Sequence, residues 1–397
     1  MDTTMLQDNI SHMFALATLT AVAFTTDVDA AGAVWRQIEA VAGGGLAISW
    51  DWVATWLHHF GSVVPYQFAI GEGPSGPCGV AMVTQGIEQR RGPFPVRTVH
   101  LGTAGEPPGH SVCVEFNRVL ALPGQREAFA TALLAALQGR GLSWQVLELN
   151  GFDAEHAEPF LRAEPRFIVT RFPAYGVDLR AMRDASQPVL AALPKSTAAK
   201  IRKDLRRFQE RYGPVRTEWA ETAAEGLAVF HEMIPLHQER WRRAGQPGVF
   251  SSPRFKPFHQ DLIARLMPQG KIVLFRAYAG DQLLGIFYGL VDGGMIQHYQ
   301  WGLPHFEDRA LAPGYVVAAL CMEEALHRGF DEINWLKGEV RYKRELSTMR
   351  RELVWAELHR GPWLAAIDVL HRARSWQRAH WSPRAQAGKA TPCPSTG

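Results

Sequence analysis

Residues 311–343 read LAPGYVVAALCMEEALHRGFDEINWLKGEVRYK, and this stretch decides the fold. Pro313 suits a first helical turn, Gly329 closes the helix, and DEINWLKG is a strand ended by Gly338. Residues 120–151, LALPGQREAFATALLAALQGRGLSWQVLELNG, repeat the order Pro-Gly, helix, Gly, strand, Gly. A helix–strand unit recurring with the same Pro-Gly entry and closing glycine predicts a duplicated domain.

Working outward, each copy is preceded by helices and then a strand meander. In the first half, MFALATLTAVAF (13–24) is a strand, since Asp2 and Asp8 without Lys or Arg argue against a secretory leader. A helix follows near Asp27, and Ser49 opens a second, SWDWVATWLHHFG. YQFAIGEG, GVAMVTQGIEQ and VRTVHLG are strands, as is SVCVEFNRVLAL (111–122). In the second half, helices near 219–240 and 254–267 precede KIVLFRAYAG, QLLGIFYGLVDGG and MIQHYQWG, with Ala-Gly-Asp and Asp-Gly-Gly turns. RYKRELS is a short loop or helix, and ELVWAEL is the last strand.

Between the halves, eight Lys or Arg from Lys195 to Arg216 face only Asp204 and Glu210. A helix from Ser196 to Tyr212 puts Ile201, Leu205 and Phe208 on one stripe and the cations around it. The expected layout is a first domain over 1–185, a basic linker helix over 186–216, a second domain over 217–362, and an amphipathic helix and disordered tail over 363–397.

Composition narrows the class. A chain of 397 residues exceeds one ordinary core. At 47% hydrophobic, with 13 Trp and 20 Phe, it is globular rather than disordered. A net charge of +3 is too small to imply a nucleic-acid protein by itself. Cys78, Cys113, Cys321 and Cys393 are scattered, which fits neither a disulfide scaffold nor a zinc site and points to a reducing cytoplasm. No metal is expected, because no His/Cys/Asp/Glu spacing matches a ligand pattern. Without a Gly-x-Ser-x-Gly elbow, a covalent serine is unsupported. No other apolar run approaches the roughly 20 residues of a membrane span.

LPKSTAAKIRKDLRRFQERYG, LHQERWRRAGQPGVF, LAPGYVVAALCMEEALHRG and INWLKGEVRYK occur in this order. Together they resemble GNAT-fold acetyltransferase-like proteins, including proteins encoded beside bacterial cellulose-synthesis genes, and more distantly the Fem-type aminoacyl transferases. The resemblance spans nearly the whole chain and is strongest from Leu193 to Lys343. It implies an α/β (α+β) fold of two tandem GNAT-like domains, each a mixed, mostly antiparallel twisted sheet flanked by helices. The implied activity is acyl transfer, with acetyl-coenzyme A or another acyl-coenzyme A as cosubstrate and no permanently bound cofactor. The acceptor is an amine or hydroxyl of a small molecule, saccharide or peptide. DRALAPGYVVA departs from the coenzyme A pyrophosphate loop of many such enzymes, so the donor stays open.

The candidate residues follow. Pro313, Gly314 and Tyr315 begin the main helix, whose free amides and dipole suit phosphate, with Arg309 and Gly338 beside them. Acyl transfer needs a base, an oxyanion donor and an acid for the leaving group. Lys343 is expected at the oxyanion or phosphate and Tyr342 at proton donation, with His237 as the general base. Arg240 and Trp241 share a helix face with His237 and frame the acceptor. Along MIQHYQWG, Gln297, Tyr299 and Trp301 alternate with His298 and Gln300, so one set lines the cleft. Glu115 and Asn117 are expected to contact substrate from the first half, a degenerate domain without its own Tyr-Lys pair that shapes the acceptor cleft.

Two other readings compete. The basic helix contacts tRNA if the donor is a charged tRNA, as in Fem-like transfer. Alternatively the chain is a non-catalytic scaffold in polysaccharide synthesis.

Overall fold

The computed structural model describes residues 21–91, 93–139, 143–308, 311–361 and Leu364. Most of the expected first strand, Arg309 and the helix and tail expected over 363–397 lie outside the described residues. In chain order the elements are β1 (Ala21–Thr25), α1 (Val28–Ala42), α2 (Trp50–Phe60), β2 (Tyr66–Gly73), β3 (Gly76–Gln85), β4 (Arg90–Arg91), β5 (Phe94–Pro95), β6 (Thr98–Leu101), β7 (Leu120–Ala121), α3 (Arg126–Gly139), β8 (Val146–Asp153) and α4 (Ala154–Ala163). There follow β9 (Ile168–Asp178), α5 (Leu179–Asp184), α6 (Val189–Ala192), α7 (Lys195–Tyr212), β10 (Val215–Trp219), α8 (Ala223–Arg243), α9 (Phe255–Leu266), β11 (Ile272–Ala279), β12 (Gln282–Asp292), β13 (Met295–Gly302), α10 (Pro313–His327), β14 (Glu332–Lys337), α11 (Arg341–Glu345) and β15 (Met349–His359).

The fold is mixed α/β, and the chain forms two compact units. Among the described residues the first holds 21–50, 60–171 and 354–361, and the second holds 51–59 and 172–353. In the first unit the strand order is β1-β2-β3-β6-β8, continued by the Val354–His359 end of β15. In the second it is β10-β11-β12-β13-β14, continued by the Phe172–Asp178 end of β9. Each unit contains a parallel pair, β6 with β8 and β13 with β14, and in each a helix (α3 or α10) lies between the paired strands in sequence. The same order of elements in both units is the duplication that the Pro-Gly repeat predicts.

The apolar side chains divide the chain differently from a cut at 185/186. Val177, Leu179, Met182, Ile201 and Phe208 join the core of the second unit, so α7 is a core element with a polar outer face. Val354, Ala356 and Leu358 join the core of the first. Residues 51–59 of α2 belong with the second unit: Trp52 meets Phe258 edge-on at 5.1 Å, and Arg254 donates to the His59 carbonyl at 2.6 Å.

Local chemistry sets the ends of the elements. Thr222 and Glu225 form a reciprocal capping box at the start of α8. Gly280, in the β11–β12 turn, has φ 53°, and a Cβ there would lie 2.0 Å from the Tyr212 carbonyl, so only glycine fits. The strand expected over 111–122 is reduced to β7, because Cys113 (φ 41°) and Phe116 (φ 56°) leave the extended region. No helix among the described residues is long and apolar enough to cross a membrane.

Candidate active site

In the second unit β13 and β14 pair only through Met295–Gln297 and Glu332–Asn334, although β13 continues to Gly302 and β14 to Lys337. Their C-terminal ends therefore part, leaving backbone groups that are not paired across this seam. A buried polar chain fixes the departure of β14. Leu336 takes φ 62°, and its N–H donates to Asn334 Oδ1 at 2.9 Å. Asn334 Nδ2 donates to Glu332 Oε1 at 2.8 Å, and Arg351 grips Glu332 Oε2 through Nε at 3.0 Å and Nη2 at 2.7 Å. Glu332 is 5% exposed, so this fork keeps a buried carboxylate paired.

Lys343 completes the seam. It is 1% exposed, and its ammonium donates to the carbonyls of Lys337 at 2.6 Å and Leu336 at 3.3 Å. The side chain expected at an oxyanion or phosphate thus holds the backbone turn before Gly338, which has φ 129° and would bring a Cβ within 3.7 Å of that ammonium.

The polar strand β13 does not alternate as expected. Tyr288 pairs with Gln300 and Gly289 with His298, so Tyr299 is an extra residue, a β-bulge. The bulge sends Tyr299 and Gln300 toward the same side. Tyr299 meets His259 at 4.7 Å and Phe255 at 6.2 Å on α9, and Gln300 bonds to His237 on α8. Trp301 turns to the opposite side with His298, where both meet Phe287 and Trp335. Gln297, Tyr299 and Trp301 are therefore not one face. Gln297 Nε2 and His298 Nε2 are buried without a hydrogen-bond partner among the described residues.

His237 is 2% exposed, and both ring nitrogens are engaged. Nε2 accepts from the Trp241 indole at 2.9 Å, and Nδ1 lies 3.2 Å from Gln238 Oε1, to which it donates. Burial brings its pKa down to about 4, with Arg240 adding to the fall and Gln238 and Gln300 opposing it. An imidazole whose lone pair is occupied and whose basicity is this low does not act as the expected general base. Arg240, one turn from His237, is exposed, and its charge acts on His237, His298 and Tyr342. No carboxylate pairs with it among the described residues, whereas Arg242 and Arg243 both pair with Glu239.

Tyr342 lies against the same core as Trp301. Burial raises its phenol above the ordinary value, and a hydrogen bond from Trp301 opposes that rise. An indole only donates, so the Tyr342 oxygen is the acceptor in that bond. Charge coupling and hydrogen bonds thus link Arg240, His237, Gln300, Trp301 and Tyr342, which come from α8, β13 and α11.

At the start of α10, Pro313 is the first helical residue and Ala312 supplies no side-chain cap. A Cβ on Gly314 would sit 3.3 Å from Leu303, so this glycine serves close packing. Tyr315 donates its hydroxyl to Glu345 at 2.5 Å, and burial and then Glu345 push its pKa up to about 12. Lys200 of α7 lies 4.0 Å above the Tyr315 ring, which brings the basic helix beside the start of α10. On the outer face of α7, Lys195, Arg202, Lys203 and Arg206 are exposed and unpaired among the described residues.

Glu115 and Asn117 belong to the first unit. Asn117 Nδ2 donates to the carbonyls of Leu101 at 2.8 Å and Asn150 at 3.2 Å, pinning a loop to the strand ends. Sequence reasoning missed Glu332, Asn334 and Arg351, and the one available signal was a Glu-x-Asn pair inside an otherwise apolar strand.

Residues 195–344 match the family model described as an acetyltransferase (GNAT) domain. No curated protein sequence matches the chain. Among solved structures, the chain is similar to FemX, with TM-score 0.55 and 11% identity over 85% of this chain and 97% of that one. It is likewise similar to the C-terminal domain of a putative lysylphosphatidylglycerol synthetase from Agrobacterium fabrum, with TM-score 0.53 and 11% identity over 87% and 97% of the two chains. L-PGS from Bacillus licheniformis gives TM-score 0.52 and 9% identity over 85% and 95%. At these identities the likeness is one of fold.

Proposed function

We propose, from the premise of an acetyltransferase-type domain over residues 195–344, that the second unit moves an acyl group from an acyl-coenzyme A thioester to an amine or hydroxyl of a small molecule, saccharide or peptide. The observation that carries this reading is the Trp301–Tyr342 pair beside the parting ends of β13 and β14. The acceptor nitrogen or oxygen attacks the thioester carbon. Its bond to carbon forms, the carbon–sulfur bond breaks, the acceptor's proton passes to solvent, and the Tyr342 hydroxyl gives its proton to the departing sulfur. Trp301 N–H steadies the phenolate until water returns a proton. Lys343 acts as a positioning residue by fixing the Leu336–Lys337 carbonyls. Arg240 favours an acceptor with a carboxylate or phosphate group.

Purified protein should retain labelled acetyl-coenzyme A on a filter and transfer the label to amines. Failure to retain it, or label transfer unaffected by Tyr342→Phe, would sink the reading.

A second reading, transfer from a charged tRNA, is favoured by the exposed cations Lys195, Arg202, Lys203 and Arg206 on α7. Retention of charged tRNA in place of acetyl-coenzyme A, weakening steeply with salt, would select it.

A further inference from the structure

The fold joins three side chains that no sequence spacing links: His58 and His59 near the C-terminal end of α2, and Asp261 on α9. One ligand-type atom from each lies within 4.8 Å of the other two. His59 Nε2 and Asp261 Oδ2 are 2.7 Å apart, and the His58 and His59 rings meet edge-on at 4.8 Å. His59 is the shielded member, with 12% side-chain exposure against 49% for Asp261. Thr55, His58, Asp261, Ala264 and Arg265 line a surface depression of about 430 Å³ that admits an ion with its water.

We propose that His58, His59 and Asp261 form a site for a divalent transition metal of the zinc type, which clips α2 onto α9. Two imidazoles and one carboxylate are ligands that such ions select over calcium or magnesium. Three protein donors leave one position of a tetrahedron for water. With ligand bonds of about 2.1 Å, tetrahedral donors stand about 3.4 Å apart, so the gaps to His58 must close by up to about 1.4 Å and the 2.7 Å gap between His59 and Asp261 must open by about 0.7 Å. The exposed His58 can supply the closure by turning its ring. A neutral His59 carries its single ring proton on the nitrogen facing away from the ion, so its Nε2 lone pair and the Asp261 carboxylate turn to the metal in place of the hydrogen bond between them. The surrounding charge is mixed. Asp261 is the anion of the set and the neighbouring Arg265 is 3.7 Å from Asp51, while the Arg254 guanidinium holds the His59 carbonyl at the end of α2.

The clip also has a structural purpose. Residues 51–59 lie far in sequence from the rest of the second unit, yet they pack on α9 through Trp52 and Phe258. A metal at the helix end fastens that segment where the chain itself does not. The proposal uses none of the residues assigned to acyl transfer, so it stands or falls separately from that reading.

The test titrates the full chain, freed of metal, with Zn²⁺ and then Co²⁺. One equivalent should bind in the micromolar range, Co²⁺ should give the visible absorption of a tetrahedral site, and Zn²⁺ should raise Tm. His58→Ala and Asp261→Asn should each weaken binding at least about tenfold and abolish the Tm rise, while His327→Ala, on an exposed helix end, should leave both unchanged. Asp261→Asn also alters the partner of His59, so His58→Ala, which leaves that pair intact, guards against a folding artefact. Absence of a micromolar equivalent, or equal affinity in His58→Ala and the parent, would overturn the site.

Discussion

Tyr342 and Lys343 are adjacent in sequence and opposite in environment. The phenol oxygen accepts from Trp301, whereas the ammonium donates to two backbone carbonyls. Tyr342→Phe should lower kcat about 100-fold with little change in KM for the donor, as steady-state rates will report. Lys343→Met should instead cost about 1–3 kcal/mol of stability, read from urea midpoints, because two buried carbonyls lose their donor. His237 adds a pH signature. Burial lowers its pKa from 6.5 to about 4, so between those values the unfolded chain binds a proton that the folded chain refuses. Stability therefore rises with pH through this window and is lost as pH falls, by on the order of 3 kcal/mol for this group. In His237→Gln the slope of stability between pH 4 and 6.5 should flatten relative to the parent. Residue types were legible in the sequence: Tyr342, Trp301 and Arg240 are all expected site residues. Their roles were not, because partners such as the Lys337 carbonyl are set by a backbone turn at Leu336 that no residue type announces.

At the scale of elements, α7 shows how a charge run misleads. Its cations suggest a linker helix, but Ile201 and Phe208 are 1% and 0% exposed in the core of the second unit. Phe208→Ala should cost about 3–5 kcal/mol in chemical denaturation, whereas alanine at exposed Arg202 or Lys203 should change stability by less than about 0.5 kcal/mol. The bulge at Tyr299 makes the complementary point for strands. One extra residue moves Gln300 toward His237 and Trp301 toward Tyr342, so two neighbours serve opposite faces. Period-two reasoning finds the strand and its polar content but not the slip, which arises only from pairing with β12.

For the whole chain, the contact units predict how fragments behave. A fragment of residues 172–353 lacks α2, which buries Trp52 against Phe258. It should unfold at a lower temperature than the corresponding unit of the full chain, and added peptide 49–61 should raise its Tm; no rise would show that α2 does not stabilise this unit. By itself the sequence determined the duplicated order of elements, the helix start at Pro313 and most strands of the meanders, because hydrophobic period, glycine and proline act within a few residues. Pro123-Gly124, by contrast, form a turn ahead of a helix that begins at Arg126. The sequence also named Tyr342 and the helix start at Pro313 as candidates, and the proposed function takes up only Tyr342 of these. Only the tertiary structure decided where α2 and the ends of β9 and β15 belong, which face each residue of β13 serves, what Lys343 holds, and that His58 and His59 meet Asp261. Those outcomes depend on contacts between residues far apart in the chain, and such contacts leave no trace in local spacing.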